Sequence, residues 1–171
     1  MNFILKLKHW QVFLILLLAS ITSNFEWVGN DFFNLAINTF GMIIYFLWYF
    51  AVGLELTERL PPRIELGRTM FIINAFVLTL SMLILIIVFD GEFSSNGFFG
   101  FVWVVYLMYA VVQFMFFPSR VLKSVEQESE ATFGQYFRYF LLTLFWPIGI
   151  WWIQPKINKI LRTEIKFDEQ E

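Results

Sequence analysis

Glu55 is the acidic residue that lies closest to the interior of a long apolar run in this 171-residue chain. A carboxyl at that depth can bind and release protons, and so couple proton movement to that of a cation. Arg59 follows one turn later, and an i, i+4 ion pair at the membrane edge is the simpler use of the same two residues. Other polar residues fall into stripes. Asn34, Asn38, Tyr45 and Tyr49 share one helical arc, Gly67, Asn74 and Ser81 recur every seven residues, and Tyr106, Tyr109 and Gln113 share one face of a third segment. Polar groups are costly in hydrocarbon and turn toward a bundle interior. The stripes therefore define either a small polar cavity, for a ligand or a substrate path, or a set of interhelical hydrogen bonds that fixes register.

A second group of candidates is aromatic. Trp146, Trp151 and Trp152 surround Pro147 and Gly149, with Phe140 and Phe145 nearby, as a lipid-headgroup or partner platform or as interfacial anchors. His9 stands between Lys8 and Trp10 without a second His, which makes it an anchor rather than a metal ligand. Asp90, Glu92, Ser94, Ser95 and Asn96 offer the oxygen ligands that calcium takes, although a tight connection between two helices has the same composition. With no Cys there is no disulfide, thiolate metal site or iron–sulfur cluster, and a single His excludes bis-His haem. No zinc-protease, phosphate-loop or nucleophile-elbow motif occurs, nor a pair of intramembrane carboxyls. The expectation is a protein without catalytic residues, cofactor or metal. The basic residues are interleaved with Glu along one face, which argues against nucleic acid as a partner.

The elements that position these residues follow from composition. At 58% hydrophobic, 21% aromatic and 15% charged, with a mean hydropathy of +0.66, most of the chain has no water-facing side. Apolar runs near 9–25, 34–56, 70–89 and 98–117 read as four transmembrane helices. The first also resembles a secretory signal, but its small-x-small cleavage pattern is poor and it reads as retained. Lys6 and Lys8, then Arg59, Arg63 and Arg68, then Arg120, Lys123, Arg138, Lys156, Lys159, Arg162 and Lys166 all fall on one side of that arrangement. Both termini are thus expected in the cytoplasm, with two short acidic loops outside.

The fifth apolar segment, 139–153, is too short for a comfortable crossing and is interrupted by Pro147 and Gly149. A crossing there would also carry Lys156, Lys159, Arg162 and Lys166 to the wrong side. It reads instead as a re-entrant or interfacial hairpin over about 137–154. An amphipathic helix over 155–167 follows, with Ile157, Ile160, Leu161 and Ile165 opposite its basic residues. Between the fourth span and the hairpin, 120–132 reads as a separate cytoplasmic helix docked by Val121, Leu122 and Val125. Its Glu126, Glu128 and Glu130 read as a solvated face. The fold class is all-α integral membrane in one domain, with four transmembrane helices, a cytoplasmic-side hairpin and a C-terminal amphipathic helix.

The run "FGQYFRYFLLTLFWPIGIWWIQPKINKI", with F-W-P-I-G-I-W and I-Q-P-K-I-N inside it, resembles the C-terminal signature of small, uncharacterised bacterial inner-membrane proteins. It covers about the last third of the chain, from Ser119 to Ile160, and implies a bacterial inner-membrane setting without any assigned activity. Two functional readings stay open. One is a non-enzymatic accessory or interaction protein that meets lipids and another subunit or a second copy of itself. The other is a small oligomeric transporter or lipid-handling protein with a polar path between spans two to four.

Overall fold

Backbone amides and carbonyls have no water to bond with in hydrocarbon, so apolar runs of this length must bond internally, and helix is the local solution. A computed structural model describes residues 5–24, 29, 31–89 and 97–168, with positions 86, 89 and 162–168 described by backbone alone. It contains α1 (His9–Thr22), α2 (Asp31–Thr57), α3 (Arg68–Phe89), α4 (Phe98–Gln127), α5 (Phe133–Leu144) and α6 (Trp146–Asp168). No strand occurs among the described residues. The loop 90–96, with its oxygen ligands, lies outside them.

Three helices, α2, α3 and α4, are long and apolar enough to cross a membrane. The chain is a helical membrane protein. The first apolar segment is shorter than its hydropathy suggests: α1 has 14 residues, about 21 Å at 1.5 Å per residue, against the roughly 20 residues a crossing needs. Its end is set by polar side chains that bond back to the last turn. Thr22 Oγ1 donates to the Ala19 carbonyl at 3.0 Å, and Ser23 Oγ and Asn24 Nδ2 donate to the Ser20 carbonyl at 3.1 and 2.9 Å. There α1 crosses α2 closely. A Cβ on Gly41 would stand 2.6 Å from the Ala19 carbonyl oxygen, so only glycine permits this approach.

The fourth span and the helix expected at 120–132 are one continuous 30-residue helix, α4, with Pro118 inside it. Proline there removes one backbone bond, but Phe117, Pro118, Val121 and Leu122 are all buried, and that packing holds the helix through the interruption. The helix stops at Glu128, whose φ of 51° is left-handed. Arg63 then donates to the Glu128 carbonyl at 2.8 Å, which brings the α2–α3 connection to the end of α4.

Packing among the long helices is mainly aromatic. The Phe71 ring of α3 stacks on Phe117 at 4.4 Å and on Phe114 at 5.5 Å, with Phe50 of α2 at 5.8 Å on another side. Gly53 makes room for it, since a Cβ there would lie 2.6 Å from the ring.

The segment expected to form a re-entrant or interfacial hairpin folds as two helices, α5 and α6, that turn back on each other, and the break and the second helix differ from expectation. The break is Phe145, with φ −93° and ψ 55°, and Pro147 sits in the first turn of α6, where a missing amide leaves no helical bond unmade. Gly149 is not the turn. It lies inside α6 and lets that helix back onto α5, where a Cβ would fall 1.6 Å from the Leu142 carbonyl oxygen. The separate amphipathic helix at 155–167 is likewise the continuation of α6 through Pro155. Ile150, Ile153, Ile157 and Leu161 form its buried face at helical spacing.

Candidate functional site

The polar stripes do not meet in one interior. Asn74 of α3 is 1% exposed. It donates through Nδ2 to Gln113 Oε1, and its Oδ1 accepts from the Tyr106 hydroxyl at 2.8 Å. These three side chains close on one another between α3 and α4. Tyr109 is half exposed and faces away, with its ring 6.4 Å from that of Tyr106. Ser81 lines an apolar groove between the same helices, about 480 Å³ in volume, beside Leu85, Trp103 and Met108.

The α2 stripe turns elsewhere, toward the hairpin. Tyr45 and Tyr49 hydroxyls lie 3.1 Å apart, and the buried Tyr49 donates to the Thr143 carbonyl at 2.7 Å. That carbonyl needs a donor, because it lies in the last turn of α5, which breaks at Phe145 and offers it no amide of its own. Thr143 Oγ1 also bonds Ser119 Oγ at 3.0 Å, so α2, α4 and α5 meet at one threonine. Asn34 and Asn38 of this stripe lie further along α2, half-buried and bonded within the molecule. Gly67 precedes α3 and has open space around it.

Glu55 pairs with Arg59 at 3.4 Å, each side chain 12% exposed, and Arg59 also donates to the Glu55 carbonyl. Of the tryptophans, Trp146 packs on Phe13 and Tyr45, and Trp151 packs on His9 at 4.8 Å and Phe13 at 5.9 Å. His9 is thereby held by an indole. Trp152, 57% exposed, stands with the exposed Pro147 and Ile148 on the outer side of α6, while Gly149 is buried.

Glu126 corrects the expectation of a solvated acidic face. It joins α4 to both hairpin helices: the Tyr139 hydroxyl donates to its Oε2 at 2.5 Å, and Lys156 Nζ donates to its Oε1 at 2.9 Å. Lys156 also donates to the Tyr139 hydroxyl, and its Nζ lies 4.6 Å from the Tyr139 ring centre. Lys123 stands 3.6 Å from Glu126. Burial, helped by the bond to Glu126, pushes the Tyr139 hydroxyl above its ordinary pKa. Burial opposes the Lys156 charge, but its bonds to Tyr139 and Glu126 outweigh that and raise its pKa. Neighbouring residues Tyr139 and Phe140 reach Glu126 and Phe116, ten positions apart on α4, so α5 lies across α4 rather than along it. Glu130 pairs with Arg120, and Glu128 ends α4.

This cluster borders a cleft of about 730 Å³ between the α2–α3 connection, the end of α4 and α6. Arg59, Lys123, Lys156 and Lys159 line it together with Glu58, Glu126 and Glu128. A separate clamp ties the start of the chain to α6. Gln154, fully buried, donates to the Leu5 and Leu7 carbonyls at 2.9 and 3.1 Å, and Asn158 donates to Leu7 at 3.1 Å. Gln154 carries a sequence signal, a polar residue in the middle of the Ile150, Ile153, Ile157 face. Glu126, Tyr139 and Lys156 carry none, being 13 to 30 residues apart.

No protein-family model matches the chain, and neither a curated protein nor a solved structure is significantly similar to it.

Proposed function

We propose that the chain is a non-enzymatic accessory or interaction protein of the bacterial inner membrane with both termini in the cytoplasm. One observation carries this reading over transport. The polar side chains at membrane depth bond within the protein, Asn74 with Gln113 and Tyr106, and Tyr49 with the Thr143 carbonyl, and so act as register pins between helices. The groove beside Ser81 is lined by apolar side chains otherwise, and a second one between α2 and α3 is lined by Met42, Phe46, Phe50 and Phe76. A path for a polar substrate needs such groups turned toward water instead.

In this reading α1 belongs to a fourth crossing, and α5–α6 rests in the cytoplasmic leaflet as a re-entrant or interfacial hairpin. The gathering of Arg59, Arg63, Lys123 and Lys156 at one end of the helices supports that side as cytoplasmic. The hairpin tryptophans, with Trp152 outermost, offer the surface that meets lipid or another subunit, which includes a second copy of the chain.

The test is purification from native expression levels through a C-terminal tag in mild detergent, with bound proteins identified by mass spectrometry and the assembly weighed intact. A stoichiometric partner is expected. A bare homo-oligomer whose cation uptake is lost in Glu55→Gln would overturn the reading in favour of proton-coupled transport. A reporter fused after Glu171 should stay cytoplasmic, and an external reporter would make 139–153 a fifth span.

A further inference from the structure

The cleft beside Glu126 has a lining that suits neither a simple anion nor a simple cation. Four cations, Arg59, Lys123, Lys156 and Lys159, face the same space as three carboxylates, Glu58, Glu126 and Glu128. The C-terminal ends of α2 and α4 also border it, and the negative ends of their helix dipoles add to the carboxylates. An anion would meet those carboxylates and helix ends, and a cation would meet three lysines and an arginine. These charges already pair within the protein, Lys123 and Lys156 with Glu126, Arg59 with Glu55 and Glu58 with Arg68, and a ligand that carries both charges a few ångström apart can join such pairs without opposing either sign.

The rest of the lining and the depth of the cleft narrow the source of such a ligand. Leu60, Pro61, Val125 and Ile160 complete the wall, so the cleft also accepts apolar surface. The 30 residues of α4 extend about 45 Å, comparable to a bilayer with its headgroups. Its last turns, which carry Lys123 and Glu126, therefore stand at headgroup depth.

We propose that this cleft holds the headgroup of a zwitterionic phospholipid, with the phosphate toward the lysines, the ammonium toward the carboxylates and the glycerol region against the apolar wall. This goes beyond an accessory role and does not depend on it, since a subunit and a transporter can each carry a bound lipid.

The test uses the full-length protein in mild detergent with equal amounts of phosphatidylethanolamine and phosphatidylglycerol, the retained lipid being counted by native mass spectrometry. One phosphatidylethanolamine per chain is expected, preferred by about fivefold, a size set by a few partly exposed ion contacts. Two double variants must then move the preference in opposite directions. Glu58→Gln with Glu128→Gln should shift it toward phosphatidylglycerol, and Lys123→Gln with Lys159→Gln should lower retention of both lipids, phosphatidylglycerol most. Glycerophosphoethanolamine should compete and inorganic phosphate should not. Equal retention of both lipids, competition by phosphate alone, or the same shift in both variants would overturn the proposal. So would an absence of bound lipid together with a co-purifying protein that both variants release, which would make the cleft a protein contact. Melting curves of the variants separate these outcomes from loss of fold.

Discussion

Between α3 and α4, Asn74 is 1% exposed and keeps both of its partners inside the helix contact. At the basic end, Glu126 holds Tyr139 and Lys156, and the Lys156 side chain is 41% exposed. Both are three-residue networks, yet their surroundings give them different work. At membrane depth a polar atom has only its neighbours to bond, so the network is neutral, small and closed on itself. At the basic end exposed groups can also bond to water, so charges accumulate, pair more than once and leave a cleft open between them. The first arrangement sets how helices pack, and the second can meet something else.

Close helix contacts elsewhere in the fold depend on glycines, and replacing these is the most severe way to disturb the packing that holds both regions. Gly149→Leu should have the largest effect, because the added Cβ would overlap the Leu142 backbone and the hairpin cannot close as observed. Loss of the folded monodisperse species in size-exclusion chromatography is expected, or destabilisation above about 3 kcal/mol where it survives. Gly53→Ala presses on the Phe71 ring instead of on backbone. A ring within a stack can shift a little, so a cost of roughly 1–3 kcal/mol is expected, read as a lower melting temperature.

Breaking one partner in each network sharpens the contrast. Asn74→Leu leaves Gln113 and Tyr106 without their buried partner and should cost about 1–2 kcal/mol. Replacing Gln113 by Leu as well should recover part of that loss, whereas two additive losses would show that the pair is not coupled. Tyr49→Phe should cost a similar amount by orphaning the Thr143 carbonyl in the last turn of α5. Glu126→Gln should cost less, about 0.5–1 kcal/mol, because water can replace part of its bonding to Lys156.

The smallest effect is the dependence on pH, and at the basic end it comes from Tyr139 and Lys156. Tyr139 and Lys156 both have folded-state pKa values above their ordinary ones, so folding favours their protonated forms. Their contribution is fully present below about pH 10, where both are protonated even in the unfolded chain, and fades as the pH rises through the folded-state values. Melting temperature should therefore fall above pH 10, and Tyr139→Phe should flatten that fall. A profile that is unchanged in Tyr139→Phe would remove the hydroxyl from the explanation.

How much of this was legible depends on whether a feature is local. Long apolar runs announced α2, α3 and α4, and the seven-residue recurrence of Asn74 and Ser81 put Asn74 on a shared face. Pro147 and Gly149 announced a break near 139–153 but misplaced its parts. The turn is Phe145, and Gly149 serves the close approach to α5 instead. The fourth span was expected to end at 117 and the hairpin at 154, yet both helices run on through Pro118 and Pro155 because buried neighbours outweigh one lost bond. The end of α1 was missed because Thr22, Ser23 and Asn24 bond backward to the helix, a preference that hydropathy does not register.

The sequence by itself determined the solvent: hydropathy, aromatic content and the one-sided placement of basic residues require a helical membrane protein with a marked basic end. These are sums and periodicities over neighbouring residues, and water or hydrocarbon responds to them before any tertiary contact forms. Only the tertiary structure decided which polar residues meet. Asn74 finds Gln113 across 39 positions, Glu126 finds Lys156 across 30, and Gln154 finds Leu5 across 149. Such partners are chosen by how helices cross, and the crossings depend on Gly41, Gly53 and Gly149, where the absence of a side chain lets another part of the fold approach.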